Sequence, residues 1–572
     1  MDTNALFSAR NISSLKDMIT QSEQLFGNKT AFQKKNSDQS KSNISYKDLK
    51  NDIDSLGTVF IEMGLKNKFI AVIGENRYEW CLTYLATVCG TGVIVPLDKE
   101  LPPDEIENLS KRSNIEAIIY SGKLDSQINK IRPNLSFVKY FINMDLENDE
   151  DETLSFNKLL EKGRKLLEDG NTTYLSAEIN PEEMNMLLFT SGTTDLAKGV
   201  MLSHKNICSN LMSVCKVLYI DSNDSVLSIL PMHHTYECTC GFLLMLYNGC
   251  KISFCEGLKH IGNNLKEESP SVVILVPLIL ENMYKKIWDK VSKNILTKTK
   301  LKFALSLSNI LLRYFNLDIR KRLFKKIHDG IGGKVRLIIS GAAAIDPLVS
   351  GGLEAMGFKI LQGYGLTECS PIVTVNQEEN YRHDSIGLPL PGVEVKIDDA
   401  DENGIGEILV KGDNVMLGYY KNQIATKNVL KNGWLYTGDL ARSDDSGFVY
   451  VTGRKKNLIV AKSGKNIFPE EVEAYLNRSP YILESLVFGK LDKDSGDTLV
   501  NAKIVPDKEV FMRKLGKDNV SYEEIFGIIN KEVKNVNKNM SSYKSIKSFS
   551  IQEEEFAKTT TRKIKRHLQM TG

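Results

Sequence analysis

The stretch LLFTSGTTDLAKGVMLSH, residues 187–204, places a polar loop between two apolar runs. The loop contains four hydroxyl side chains, two glycines and one lysine, in the order Thr190, Ser191, Gly192, Thr193, Thr194, Lys198 and Gly199. The backbone N–H groups of a glycine-rich turn form a nest for anions, hydroxyls add donors, and a lysine adds positive charge. The common P-loop differs, because its lysine follows a glycine directly. The stretch therefore predicts a phosphate-binding loop that follows a buried strand.

Short apolar, β-branched runs recur on both sides of this loop, and each predicts a buried strand. They are FIAVIG (69–74), GVIVPL (92–97), IEAIIYSG (115–122), VVILVP (272–277) and VRLIISGA (335–342). Helical segments such as 81–89 and 206–218 lie between several of them. This alternation predicts an α/β fold with parallel-rich sheets and flanking helices. Ligands of such sheets bind at the carboxyl ends of the strands, where the 190–199 loop is expected to lie.

The pattern changes towards the C-terminus. From about residue 380, short strands punctuated by glycine, such as VEVKIDD and GEILVKG, predict a small β-rich section. A new unit begins near 453, with a strand–helix–strand pattern rich in Lys and Glu. We therefore predict a large N-terminal domain, residues 1–452, and a small α+β C-terminal domain, residues 453–572.

Composition excludes several classes of protein. The 74 Lys and Arg residues nearly balance the 72 Asp and Glu residues, so a basic surface for nucleic acid is not expected. The nine cysteines are scattered, and Cys238 and Cys240 form C-x-C rather than the C-x-x-C of zinc sites. The N-terminus lacks an apolar signal segment, and no apolar run reaches the ~20 residues of a membrane span. These features favour a cytoplasmic protein with reduced thiols.

The segment 285–328 mixes many Lys and Arg residues with Leu, Ile and Phe at helical spacing. One interpretation is a surface helical insertion with a solvated basic face. The alternative is a peripheral contact with the inner face of a membrane, or the rim of a site for an anionic ligand. The sequence leaves both open.

Four further motifs follow TSGTTDLAKG in a fixed order. They are GYGLTECSP (363–371), YTGDL (436–440), GRKKNLIVAKSGKNIFPEEVE (453–473) and KTTTRKIKRH (558–567). Together the five motifs resemble the signatures of the adenylate-forming, AMP-binding enzyme superfamily over nearly the whole chain. HHTYE (233–237) and the TRKIKRH ending resemble the long-chain fatty acid–CoA ligase branch.

The resemblance implies a two-step reaction. A fatty acid carboxylate attacks the α-phosphate of ATP to give acyl-AMP and pyrophosphate, and the thiol of coenzyme A then displaces AMP. Magnesium is the implied cofactor, with ATP, coenzyme A and a fatty acid as substrates. Chemistry at phosphorus needs charge neutralisation and alignment more than it needs a base.

The resemblance also implies site residues in the N-terminal domain. Thr190, Ser191, Gly192, Thr193, Thr194 and Lys198 would hold the β- and γ-phosphates. Thr367 would contact the α-phosphate, and Glu368 would bind magnesium, a hard cation suited to carboxylate. The remaining ATP contacts would be Gly341, Ala342, Ala343, Gln362, Tyr364 and Gly365 near adenine, with Asp439 at the ribose. His234 would line the acyl site.

In the C-terminal region the resemblance implies movement between the two half-reactions. Arg454 would donate to ribose or phosphate, and Lys456 would act as the hinge. Lys563 would bridge the carboxylate and the α-phosphate in the first step. Ser463 and Gly464 would line the coenzyme A tunnel in the second, because glycine lets a narrow thiol arm pass close to the backbone.

Two departures from the family pattern qualify this interpretation. Asp195 and Ala197 replace the usual Gly and Pro of the phosphate loop, and we expect Asp195 to point to solvent. Arg562 replaces the usual glycine before Lys563. Three alternatives stay open: an acyl-AMP ligase that loads a carrier protein, a ligase for medium-chain or aryl acids, and an inactive lipid- or nucleotide-binding relative. We expect no carrier domain after the C-terminal unit, and the resemblance implies that the SGKN segment (463–466) favours coenzyme A.

Overall fold

A computed structural model describes residues 4–35, 40–190, 197–292, 294–461, 464–492, 496–559, 564–566 and 569. Strands and helices are numbered here in chain order. The strands are β1 Thr30–Lys35, β2 Lys41–Ser45, β3 Phe69–Ile73, β4 Val93–Leu97, β5 Ala117–Tyr120, β6 Tyr140–Asn143, β7 Thr153–Ser155, β8 Met184–Thr190, β9 Lys198–Ser203, β10 Ser225–Ser228, β11 Lys251–Phe254, β12 Val272–Leu275, β13 Leu337–Ser340, β14 Ile360–Gly365, β15 Ile372–Val375, β16 Leu388–Pro389, β17 Val393–Asp398, β18 Gly406–Gly412, β19 Gly418–Tyr419, β20 Leu430–Lys431, β21 Trp434–Ser443, β22 Val449–Arg454, β23 Ile459–Val460, β24 Asn466–Ile467, β25 Ile482–Leu491, β26 Thr498–Pro506 and β27 Ser548–Ile551.

The α-helices are α1 Leu15–Phe26, α2 Tyr46–Glu62, α3 Tyr78–Ala86, α4 Pro103–Ser113, α5 Asp125–Ile131, α6 Phe156–Glu168, α7 His204–Cys215, α8 Leu244–Tyr247, α9 Ile261–Glu268, α10 Pro277–Ser292, α11 Ile295–Phe315, α12 Arg320–Leu323, α13 Lys325–Asp329, α14 Pro347–Ala355, α15 Gln423–Val429, α16 Pro469–Asn477, α17 Lys508–Leu515 and α18 Tyr522–Lys538. Two π-helical segments, Thr87–Thr91 and Glu237–Leu243, adjoin α3 and α8. Among the described residues, no helix combines the length and the hydropathy that crossing a membrane requires.

The chain divides into two compact units. The first contains the described residues of Met1–Ser191, Ala197–Glu394 and Val410–Leu435, and the second contains those of Val395–Leu409 and Tyr436–Gly572. The predicted boundary between residues 452 and 453 concerns a mobile C-terminal domain rather than compactness. It stays a prediction.

The first unit contains a nine-stranded sheet in the order β16-β15-β14-β13-β12-β10-β11-β1-β2. Its centre, from β14 to β11, is parallel. The side chains of β12 and β13 are buried throughout. That burial explains why their sequences are continuously apolar rather than alternating, since helices cover both faces of a parallel sheet.

A second sheet of the first unit has the order β19-β9-β8-β4-β3-β5-β6-β7. Strands β8, β4, β3, β5, β6 and β7 run parallel, whereas β8–β9 and β9–β19 are antiparallel. The predicted phosphate loop therefore joins two neighbouring antiparallel strands, with Thr190 opposite Lys198. Its central residues, 191–196, lie outside the described part of the chain.

The second unit contains a three-stranded sheet, β25-β26-β27, covered by α16 and α18. Val472, Leu476 and Ile529 of these helices are fully buried against the strands. A two-stranded hairpin, β23–β24, belongs to the same core. A further sheet has the order β17-β18-β21-β20, with β22 paired to β21.

These elements confirm the predicted α/β class with parallel-rich sheets and a smaller β-containing C-terminal region. Two local predictions need correction. The predicted helix 81–89 ends as an α-helix at Ala86 and continues as a π-helix that contains Gly90 at φ 154°. Of the predicted NLIVA strand, only Ile459 and Val460 form a strand, β23. All nine cysteines are free thiols, and eight of them are buried.

Candidate active site

The carboxyl ends of four parallel strands collect most of the predicted nucleotide-binding residues. Strands β10, β12, β13 and β14 are neighbours in the nine-stranded sheet. The 340–345 segment leaves β13, Tyr364 and Gly365 end β14, and Thr367–Cys369 form a single 3₁₀ turn directly after it. The HHTYE segment follows β10 and enters a π-helix at Glu237. This edge of the sheet is where parallel folds bind ligands.

Gly341 is required by a close approach to an aromatic ring. A Cβ at this position would lie 2.8 Å from the ring of Tyr236, whose hydroxyl donates to Ile339 O at 3.2 Å. The next residue, Ala342, has φ +71°, a value that favours glycine. The backbone of residues 341–342 therefore turns close to the ring of Tyr236.

The side chain of Gln362 bonds to the backbone of this segment at Ile345. Its buried side-chain amide accepts from Ile345 N at 2.8 Å and donates to Ser385 O at 3.0 Å. Both ends of the amide are thus bonded to backbone. The geometry indicates that Gln362 positions the 341–345 segment.

Glu368 and Lys198 are connected through an aromatic residue that the sequence analysis did not single out. The Tyr419 hydroxyl donates to Glu368 Oε1 at 2.8 Å. Lys198 Nζ lies 4.8 Å from the centroid of the Tyr419 ring, within cation–π range. Tyr419 lies on β19, which pairs with β9, the strand that Lys198 begins. One tyrosine therefore contacts both a lysine and a carboxylate.

Three threonines of the candidate site make hydrogen bonds through their hydroxyls. Thr235 donates its hydroxyl to Thr367 Oγ1 at 3.0 Å, and Thr190 donates to Lys198 O at 3.3 Å. Of the predicted phosphate loop, Ser191, Gly192, Thr193, Thr194 and Asp195 lie outside the residues that the structure describes. The predicted direction of Asp195 therefore stays a prediction.

Burial shifts the pKa of three side chains in the HHTYE segment, His233, Tyr236 and Glu237. Burial lowers the pKa of His233 to about 3, so its ring is neutral, and its Nε2 lies 3.5 Å from Asp98 Oδ2. The ring of His234 lies 4.3 Å from that of His233. Burial raises the pKa of Glu237 to about 8, and its Oε1 accepts from the Ser228 hydroxyl at 2.6 Å. Glu237 is therefore mostly protonated at pH 7.

In the second unit, Asp439 and Arg454 form an ion pair. They are opposite each other on β21 and β22, and Arg454 Nε lies 2.8 Å from Asp439 Oδ1. Asp439 is buried, while its arginine partner is largely exposed. Pairing of adjacent strands thus brings together two residues that the motifs placed fifteen positions apart.

Lys456 and Gly464 occupy two local turns. Lys456 lies in the 3₁₀ turn Lys455–Asn457, and burial lowers its pKa to about 8. Gly464 has φ +77° in the turn that joins β23 to β24, where its N–H donates to Ala461 O at 2.8 Å. Open space surrounds the position of its missing Cβ. Ser463 lies outside the described residues.

Lys563 also lies outside the described residues, but both flanks of its motif are anchored. Lys558 forms ion pairs with Glu484 and Glu555, and it bridges to Ile564 in an antiparallel arrangement. Ile564 packs against Leu486, Val505 and Phe556. Arg566 donates to Val487 O at 3.0 Å.

Tyr419 and Thr235 are the functional candidates that sequence reasoning missed. Tyr419 belongs to the MLGYY run at 416–420, and the two adjacent tyrosines of this run are the sequence feature that could have indicated it. Thr235 lies inside the HHTYE motif, directly after His234. Neither contact is local, since Tyr419 and Glu368 are 51 positions apart.

Comparisons with known proteins match this architecture. The model of the AMP-binding enzyme family matches residues 19–420. Long-chain-fatty-acid–CoA ligase 5 of Rattus norvegicus is 31% identical over 90% of this chain and 80% of its own length. Fatty acyl-CoA synthetase A of Dictyostelium discoideum is 29% identical over 82% of this chain and 73% of its own. The crystal structure of the anthranilate CoA ligase AuaEII with anthranoyl-AMP superposes with a TM-score of 0.76, at 20% identity, over 98% and 96% of the two chains.

Proposed function

Since the chain belongs to the AMP-binding enzyme family, as its motifs indicated, we propose that it is an ATP-dependent long-chain fatty acid–CoA ligase. In the first half-reaction a carboxylate oxygen bonds to the α-phosphorus of ATP, and the bond to pyrophosphate breaks. In the second, the sulfur of coenzyme A bonds to the acyl carbon, AMP leaves with the oxygen, and the thiol proton is released.

One observation carries this proposal. The relatives named long-chain-fatty-acid–CoA ligase align with most of this chain and with most of their own length, at about 30% identity. The arrangement of the first unit supports the proposal, because Lys198, Tyr419 and Glu368 form a continuous polar group near the phosphate loop.

Each candidate site residue of the first unit has a proposed role. Lys198, with Thr190 and the 191–194 hydroxyls and N–H groups, neutralises the pyrophosphate that leaves. Thr367, held by Thr235, donates to the α-phosphate. Gly341, Ala342, Ala343, Tyr364 and Gly365 border the adenine, and Gln362 positions them. His234 is assigned to the wall of the acyl site, with no acid–base role.

Magnesium is part of the proposal, and the donor set fits it. Among the described residues, no cluster of three His, Cys, Asp or Glu side chains is arranged to hold a metal ion. A Mg²⁺ bound with a nucleotide needs only one or two carboxylates, since phosphates and waters fill its octahedron. Glu368 is half-exposed, and Tyr419 bonds one of its oxygens. A bound Mg²⁺ would neutralise phosphate charge at that carboxylate.

For the second unit we propose that Asp439 accepts from the ribose hydroxyls, with Arg454 fixing its carboxylate. Lys563 stabilises the charge that develops between the carboxylate and the α-phosphate. Lys456 serves as the hinge, and the Ser463–Gly464 turn borders the pantetheine arm during the second step. The location we propose is cytoplasmic and peripheral to the inner face of a membrane.

Product analysis tests the proposal. The chain is incubated with ATP, magnesium and carboxylates from acetate to oleate, with and without coenzyme A, and products are separated by mass. We expect AMP and long-chain acyl-CoA to accumulate only when coenzyme A is present. Accumulation of acyl-AMP regardless of coenzyme A would favour a carrier-protein acceptor, and turnover of only short or aryl acids would contradict the chain-length class.

A further inference from the structure

The last turn of α4 contacts both sides of the phosphate loop through Arg112. Its Nη2 donates to Ala197 O at 2.6 Å. Its Cζ lies 5.4 Å from the centroid of the Phe189 ring, within cation–π range. The two contacted residues lie on opposite sides of residues 190–196. One arginine therefore holds the chain at both ends of the loop.

The bond to Ala197 extends the anchoring of the loop beyond the paired strands. Strands β8 and β9 pair as far as Thr190 opposite Lys198, so Ala197 is the residue that directly precedes the ladder on the β9 side. The Ala197 carbonyl and the Lys198 N–H belong to one planar peptide unit. A hydrogen bond to that carbonyl therefore fixes the peptide plane from which Lys198 begins.

Arg112 is itself held by a packed helix. Ile106 and Leu109 of α4 are buried in the apolar core that lies against the second sheet. The backbone carbonyl of Arg112 accepts from Lys421 Nζ at 3.5 Å. A side chain that projects from a packed helix holds its partner more precisely than a side chain on a loop does. The helix therefore provides a fixed support for the contact with the phosphate loop.

One donor of the guanidinium is unused within the described residues. Nη1 of Arg112 is buried and has no hydrogen-bond partner in the part of the chain that the structure describes. Buried polar atoms of native proteins are nearly always paired, and leaving a charged one unpaired costs free energy. An arginine that served packing alone would not require that cost. The unpaired donor thus supports a functional role for Arg112.

We propose that Arg112 is a positioning residue of the phosphate loop, which fixes both ends of the loop in the conformation that receives the β- and γ-phosphates of ATP. A loop with free ends would lose conformational entropy when the phosphates bind, and that loss would lower the affinity for ATP. The contacts of Arg112 order the ends of the loop beforehand. This inference rests on the proposed function, because it takes residues 190–198 to bind phosphate.

Equilibrium binding tests the proposal with the full chain. The probes are ATP with magnesium, and AMP, which lacks the two phosphates assigned to the loop. We expect Arg112→Gln to raise the Kd of ATP roughly tenfold or more, the scale of a lost hydrogen bond to a charged group, and to leave the Kd of AMP nearly unchanged. Binding needs no turnover. A chain that binds both nucleotides but forms no acyl-CoA would contradict the ligase proposal and would still test Arg112.

Two further variants and a control locate the effect. Arg112→Lys keeps the charge and one donor, so it should recover part of the ATP affinity. Phe189→Leu keeps an apolar side chain but removes the ring, and it should weaken ATP binding less than Arg112→Gln does. The control is Lys111→Gln on the same turn, because Lys111 is 48% exposed and pairs with Glu107 at the surface. The control should bind both nucleotides as the parent chain does.

Thermal unfolding shows whether each variant is folded. If Arg112→Gln does not fold, Arg112→Lys and Phe189→Leu provide the same comparison of ATP with AMP. Conversion of supplied acyl-AMP to acyl-CoA is a further readout, because that half-reaction uses neither the β- nor the γ-phosphate. It should proceed in the Arg112→Gln variant at the rate of the parent chain.

Two results would overturn the proposal. One is an Arg112→Gln variant that binds ATP as tightly as the Lys111→Gln control does. The other is an equal loss of affinity for ATP and AMP, or an equal loss of both half-reactions. Arg112 would then support the fold of the whole nucleotide site rather than the phosphate loop.

Discussion

At the scale of the residue, Tyr419 is the connection between the charged groups of the candidate site. Its hydroxyl donates to Glu368, and its ring faces the Lys198 ammonium. Tyr419→Phe keeps the ring and removes only the hydrogen bond. Hydrogen bonds to charged groups contribute about 1.5–3 kcal/mol, so we expect kcat/KM for adenylation to fall roughly 10- to 100-fold. Pyrophosphate exchange measured against magnesium concentration checks this.

The neighbouring tyrosine provides the control. Tyr420→Phe removes the same hydroxyl from a ring whose centroid lies 5.6 Å from that of Phe69, and it should leave exchange nearly unchanged. A positioning role for Tyr419 also predicts that the Phe variant requires more magnesium. Equal activity and equal magnesium dependence in the two variants would contradict that role.

Glu237 should make stability depend on pH. Burial raises its pKa to about 8, whereas an unfolded chain has a glutamate pKa of about 4.3. Below pH ~4.3 the carboxyl is protonated in both states, and its stabilising contribution is complete. As pH rises towards 8 only the unfolded state releases the proton, so the free energy of unfolding falls by at most about 1.4 kcal/mol per pH unit. Above pH 8 this slope ends.

The substitution Glu237→Gln removes that titration and keeps a neutral side chain of similar size. Denaturant unfolding between pH 5 and pH 9 should show the variant gaining stability relative to the parent chain as pH rises through this window. Parallel curves for the two proteins would mean that Glu237 is ionised in the folded state.

At the scale of the element, the β23–β24 turn offers a test of the second half-reaction. Gly464 has φ +77°, and a Cβ there meets open space, so Gly464→Ala costs backbone strain of roughly 1–2 kcal/mol without a clash. We expect thioester formation from supplied acyl-AMP to fall more than adenylation does, since a distorted turn would narrow the path of the pantetheine arm.

Gly516→Ala is the matched control for that element. Gly516 has φ +66° at the end of α17 in the same unit, again with open space around it. Its substitution should lower stability by a similar amount and leave the ratio of the two half-reactions unchanged. If both variants slow both steps alike, the β23–β24 turn does not border the thiol path.

The elements also show what sequence patterns could and could not predict. The buried parallel strands were predicted because helices on both faces leave their residues continuously apolar, as in β12 and β13. The π-helix after α3 was missed because the apolar period that predicts a helix does not reveal an added residue per turn. The order of the motifs was enough to name Glu368 and Lys198 as candidate site residues. The contact of Tyr419 with Lys198 could not be predicted in this way, because it depends on the pairing of β19 with β9.

At the scale of the whole molecule, the C-terminal tail should govern the first half-reaction. Ion pairs of Lys558 and contacts of Ile564 and Arg566 hold both sides of the Lys563 position on the second unit. We expect Lys563→Ala to slow adenylation about 100-fold or more, the scale of a lost electrostatic contact to a transition state, with ATP affinity nearly unchanged. Pyrophosphate exchange and equilibrium ATP binding separate the two effects.

Lys565→Ala, two residues along the same tail, is the control and should retain exchange. Conversion of supplied acyl-AMP to acyl-CoA should survive in the Lys563 variant, because that step needs no contact with the attacking carboxylate. Loss of both half-reactions would indicate instead that the tail stabilises the second unit as a whole.

The burial of the cysteines has a practical consequence. Eight of nine thiols are buried, and burial raises the pKa of Cys255, the remaining half-buried one. Thiolates are the reactive form, so maleimides should label the native chain slowly. A cysteine introduced on each unit would then accept fluorescent dyes selectively. Single-molecule energy transfer between the two dyes would then test the proposed hinge, which predicts that the energy-transfer efficiency changes between the two half-reactions.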